Sequence, residues 1–108
     1  MKRILEDTKK EYSDKRFLSV DFTKSVSTNS YNIEYDGYVE VESIFRYCDL
    51  IASSYGILTL SSGASHMSSA IKDYSPDLKS ICVMSKKWYN YHKERGLFFF
   101  DNVDYVTY

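Results

Sequence analysis

Between positions 38 and 84 the apolar residues switch from helical to extended spacing and back, then to extended again. Few folds accommodate that order. Val41, Ile44, Phe45, Cys48, Ile51 and Ala52 recur at three- and four-residue steps, which predicts one amphipathic helix over 38–54. Gly56 stands where a left-handed helix cap belongs. Ile57-Leu58-Thr59-Leu60 then reads as a short apolar strand. Ser61-Ser62-Gly63 opens a second helix, with Ser62 as N-cap, Met67, Ala70, Ile71 and Tyr74 on its inner face, and Ser75-Pro76-Asp77 as its stop. Ser80 to Met84 is apolar on both faces, as a strand covered by helices on both sides must be. Strands linked through helices pair in parallel by right-handed crossovers. The expected fold is therefore α/β, a partial Rossmann-like three-layer domain with a mostly parallel sheet, with 57–60 and 80–84 as its central strands.

The flanks fit the same class. Residues 2–12 place Ile4, Leu5, Thr8 and Tyr12 on one helical stripe, and Phe17 to Phe22 reads as a strand. Thr23 to Asn32 is a polar loop, and Asn32 to Tyr35 a short edge strand before the Asp36-Gly37 turn. Lys86 to Arg95 forms a helix with Trp88, Tyr91 and His92 on one side and Gly96 as its stop. Leu97 to Phe100 and Val103 to Tyr108 are strand-like around an Asp101-Asn102 turn.

At 108 residues, the chain has room for one domain, residues 1–108. Its formal charge is −1 and its basic clusters, Lys9-Lys10 and Lys86-Lys87, are short, so no nucleic-acid partner is expected. No apolar run is long enough for a membrane span. Met1-Lys2-Arg3 resembles the start of a signal peptide, but Glu6 and Asp7 interrupt it, which predicts a cytoplasmic location. Cys48 and Cys82 sit among apolar residues and read as reduced core side chains. Eleven Tyr and six Phe admit two readings, a partner-binding surface or a low-GC codon bias.

The turn from Leu60 to His66 carries the chemistry. In open α/β sheets ligands bind beyond the carboxyl ends of the strands. The first N–H groups of the following helix lack partners and sit at the positive end of its dipole. Gly63 lets a ligand approach the backbone, Ser61, Ser62 and Ser65 offer hydroxyls, and His66 offers a ring donor, together a site for phosphate or diphosphate. The bland alternative is a Ser-Gly helix cap with a surface histidine. Asp36, Asp101 and Asp104 match no metal loop and are explained by turns, and His92 reads as a packing or surface histidine. Gly-x-Ser-x-Gly is missing, so the turn is not a nucleophile elbow. No metal and no cofactor is expected.

Ile51 to Ile71, IASSYGILTLSSGASHMSSAI, resembles the nucleotide-sugar-binding segment of the heptosyltransferase family, glycosyltransferases of two-domain GT-B architecture. That family's pattern is an apolar strand followed by D-S-G-P-x-H-x-A-A-A. Ser62, Gly63, His66 and Ala70 match it without a gap, whereas Ser61 replaces its acid, Ala64 its Pro, and Ser68 and Ser69 two of its Ala. A second likeness is to fucosyltransferase-like enzymes, in which a later strand is followed by a Trp, as in Met84 to Trp88. The resemblance covers about residues 40–90. It implies that Ser62, Gly63 and His66, with the backbone of Ala64 and Ser65, hold the diphosphate of a nucleotide-sugar donor for bacterial surface polysaccharide synthesis. It also implies a truncated or split donor-side half that needs a partner domain or self-association, for which Phe98, Phe100 and Tyr105 are the candidate surface, and it assigns no catalytic residue here. The alternative is a non-catalytic α/β interaction module or degenerate remnant.

Overall fold

A computed structural model describes residues 2–22, 34–60, 63–96 and 99–108. The chain forms two compact units, Met1–Arg46 and Tyr47–Tyr108. It is mixed α/β, with four helices and two all-parallel sheets among the described residues, consistent with a partial Rossmann-like three-layer fold.

In the first unit, helix α1 (Lys2–Glu11) buries Leu5 and carries exposed i,i+4 pairs, Lys2–Glu6 and Arg3–Asp7. Such pairs contribute little. Strand β1 (Leu18–Phe22) pairs in parallel with β2 (Gly37–Val41), Leu18 opposite Gly37 and Val20 opposite Val39. A reciprocal bond sets this register: the Phe17 N–H donates to the Asp36 carboxylate at 2.7 Å and the Asp36 N–H to the Phe17 carbonyl at 2.8 Å. Tyr35 stacks on Phe17 and meets Tyr38 edge-on.

Strand β2 corrects two sequence expectations. Residues 38–41 are extended, and the helix expected over 38–54 is α2 (Ile44–Ser53). Tyr38-Val39-Glu40-Val41 alternates outward and inward side chains, so a strand uses these residues better than a helix does. Ser43 then opens α2, its hydroxyl accepting from the Arg46 N–H at 3.2 Å. Val41 and Ile51 are buried, but Ile44 and Phe45 are exposed, Phe45 at 78%. The expected continuous apolar face is therefore split between two elements. The edge strand expected over 32–35 is not seen at Glu34 and Tyr35; Asn32 and Ile33 lie outside the described residues, as do residues 23–31 of the expected loop.

In the second unit, β3 (Gly56–Leu60), β4 (Lys79–Met84) and β5 (Asp104–Thr107) form one parallel sheet in that order. Helix α3 (Gly63–Lys72) links β3 to β4, and α4 (Lys86–Arg95) links β4 to β5. β4 is central as expected, with Val83 fully buried and Cys82 nearly so. β3, expected to be central, is an edge strand of this sheet, in keeping with its half-buried pattern and exposed Leu60. Gly56 is not a helix cap: it begins β3 and has no positive φ. It is glycine because a Cβ there would lie 2.8 Å from the Lys79 Cβ and 2.9 Å from the Lys79 carbonyl oxygen. Gly96 does cap α4, at φ 64°. The expected hairpin about Asp101-Asn102 is absent: β5 runs parallel to β4, Phe99 and Phe100 are not in a strand, and Leu97 and Phe98 lie outside the described residues.

Candidate functional site

Helix α3 turns its serines, not its apolar residues, inward. Ser65, Ser68 and Ser69 are buried, Met67 and Ile71 are half-buried, Ala70 is exposed, and Tyr74 lies beyond the helix at 91% exposure. Serines three and four apart make a stripe as regular as the apolar one, and their small side chains allow close packing on the sheet. The Ser68 hydroxyl lies 2.6 Å from that of Ser80 on β4 and 2.9 Å from the Ser65 carbonyl. Ser65 and Thr59 bring their hydroxyls to the Cys82 thiol. Burial still pushes that thiol up from its ordinary range, against the lowering effect of those two hydroxyls. Met67 leans the other way, its sulfur 3.7 Å from that of Cys48 on α2.

Asn102, read from sequence as half of a hairpin turn, instead clamps α3. The Ser69 hydroxyl donates to its side-chain oxygen at 2.7 Å, its amide donates to the Ser69 carbonyl at 2.9 Å, and the Lys72 ammonium donates to its carbonyl at 2.8 Å. One turn earlier in α3, the same stretch supplies Phe100, whose ring meets His66 edge-on with centroids 4.9 Å apart. Tyr105 fixes this stretch, its hydroxyl accepting from the Phe100 N–H at 2.8 Å while its ring packs on Phe99. Burial raises the Tyr105 hydroxyl, partly offset by that bond. Phe100 and Tyr105, named from sequence as an open association surface, are half-buried and engaged within the unit. No sequence spacing announces the clamp, because its partners lie thirty or more residues apart.

At the carboxyl end of β3, Gly63 opens α3 with no atom within 4 Å of where a Cβ would stand and no positive φ. The first turn holds no acid. Ala64 is half-buried, His66 is exposed, and Ser65 faces the thiol of Cys82, so its hydroxyl belongs to the core. Ser61 and Ser62, with the expected N-cap, lie outside the described residues. Parallel pairing brings the start of α4 to the same edge: the Lys86 N–H donates to the Tyr108 carbonyl at 2.9 Å, the Tyr108 N–H to the Met84 carbonyl at 3.2 Å, and the Ser85 hydroxyl caps the Trp88 N–H. Two helix N-termini thus share the carboxyl edge; α4 commits its Lys86 and Trp88 N–H groups to Tyr108 and Ser85, so the start of α3 is the better placed to hold an anion. Among the described residues no cluster of three or more His, Cys, Asp or Glu is placed to hold a metal, and no helix is long and apolar enough to cross a membrane.

No protein-family model matches the chain, and no curated protein or solved structure matches it either.

Proposed function

We propose that the carboxyl edge of the β3–β4–β5 sheet binds the diphosphate of a nucleotide-activated sugar, as the donor-side half of a glycosyltransferase. The observation that supports this best is the start of α3. Gly63 stands in open space at a strand's carboxyl end, no acid in the first turn competes with an anion, and exposed His66 adds a donor one turn along. The turn-and-histidine pattern shared with heptosyltransferases narrows the anion to a nucleotide sugar. Ser61, Ser62 and the Gly63, Ala64 and Ser65 backbone would line the same site. Transfer would need an acceptor-side partner, because the resemblance places no catalytic residue here.

Calorimetric titration with several nucleoside diphosphate sugars tests the reading. The chain should bind at least one at millimolar concentration or tighter. Gly63 has no positive φ and no neighbour to clash with, so Gly63→Val should leave the fold intact and block only the ligand. His66→Ala should weaken binding about tenfold through loss of one charge-assisted bond. Unchanged affinity in Gly63→Val, or no binding by the unaltered chain, leaves the turn a helix cap. The second reading, a non-catalytic interaction module, would then stand, favoured by exposed Tyr38, Phe45 and Tyr74.

A further inference from the structure

Strand β3 lies at the edge of its sheet without the devices that usually shield an edge. Among the described residues only β4 pairs with it. Gly56 to Leu60 carry no charge and no proline, and their register with β4 runs without a bulge. The other edge differs, since β5 is shorter and opens on Asp104. The Lys79 N–H donates to the Tyr55 carbonyl, which in a parallel ladder turns the main-chain groups of Ile57 and Thr59 toward β4 and those of Gly56, Leu58 and Leu60 outward. Solvent reaches this edge with the whole chain present: Leu60 is 49% exposed, and Gly56 and Leu58 are half-buried. Thr59 turns its side chain toward Cys82, so Leu58 and Leu60 project from the opposite face, in register with Ile81 and Val83.

From this edge we infer that two copies of the chain pair their β3 strands antiparallel about a twofold axis at Leu58, joining two three-stranded sheets into one. The occupant is a second copy because the strand is its own complement. With the axis at Leu58, Gly56 faces Leu60 of the partner copy, Leu58 faces its own counterpart, and every outward N–H meets an outward carbonyl. An axis at any other residue leaves some of these groups unpaired. The exposed Leu60 side chain then lies beside a residue that has none, and the two Leu58 side chains meet on the same face. On the α3 side Ile57 faces Thr59, a pair of β-branched residues of the kind that sheets favour. No like charges oppose one another, because the strand has none. One strand pair buries less than a standard interface, so the dimer belongs to the weak class.

Sedimentation velocity of the chain tests the pairing. The mass should rise from monomer to dimer between micromolar and millimolar concentration and stop there, since a twofold contact closes on itself. Leu58→Lys sets two ammonium groups directly opposite each other and should keep the chain monomeric throughout. Cysteine placement checks the register, in a Cys48→Ser background that leaves only buried Cys82. Opposed residues of such a pair stand about 5.5 Å apart at Cα, within reach of a disulfide, so Leu58→Cys should cross-link two copies on mild oxidation. Leu60→Cys replaces a more exposed side chain, yet it should cross-link about tenfold more slowly, because the two copies of position 60 stand about 14 Å apart along the strands. A monomer at millimolar concentration, an undiminished dimer in Leu58→Lys, growth past the dimer, or cross-linking of Leu60→Cys as fast as Leu58→Cys would each overturn the inference. Should Leu58→Lys unfold by circular dichroism, the two cysteine variants decide alone.

Discussion

Glycine 56 shows how one atom decides a position. It starts β3 directly opposite Lys79, and the Lys79 N–H donates to the Tyr55 carbonyl at 3.1 Å just beside it. A Cβ would press on the Lys79 backbone, which cannot swing aside without opening the β3–β4 ladder. Gly56→Ala should therefore destabilise the second unit by about 1–3 kcal/mol, read as a lower urea midpoint with unchanged m. Chain position alone suggested a helix cap, because glycine after a periodic stretch usually is one. The distinction lay in a neighbour more than twenty residues away, which local pattern does not report. Gly96, by contrast, was legible: its capping geometry depends only on the helix it ends.

At the scale of elements, strands β3 and β4 and helix α4 were readable because each obeys one period throughout. Residues 38–54 misled because Val41 falls in phase with the helix that follows it while belonging to a strand. Helix α3 was legible in place but not in facing, since burial was assigned by hydropathy and the sheet instead took the small, hydroxyl-bearing serines. That choice is testable as a cycle. Ser68→Ala leaves the Ser80 hydroxyl buried without its 2.6 Å partner and should cost about 1–3 kcal/mol. Ser80→Ala should cost a similar amount, and the double variant less than the sum of the two. Additive costs in thermal or urea unfolding would mean the two hydroxyls act independently. Of the candidate site, the strand-to-helix turn and His66 could be read in advance, whereas the Asn102 clamp and the ring against His66 came only with the tertiary fold.

At the scale of the whole molecule, the shifted groups among the described residues share one direction. Burial raises the Cys82 thiol and the Tyr105 and Tyr47 hydroxyls, with Cys48 adding to the effect at Tyr47. Each native group loses its proton at higher pH than its unfolded counterpart. The contribution of these three groups is thus level below the ordinary thiol value of about 8.5 and declines as pH rises from there toward the raised native values, the tyrosines joining above about 10. Thermal melts from pH 7 to 10.5 should show this decline, and Cys82→Ala should flatten its lower part. The serine-lined seat of α3 bears on temperature as well. Docking a helix through hydroxyls, an amide and an ammonium hides less hydrocarbon than docking it through leucines, and exposing polar groups lowers rather than raises heat capacity. The α3 seat therefore contributes little curvature to the free energy of unfolding, so its hold on the sheet weakens less on cooling than that of an oily interface.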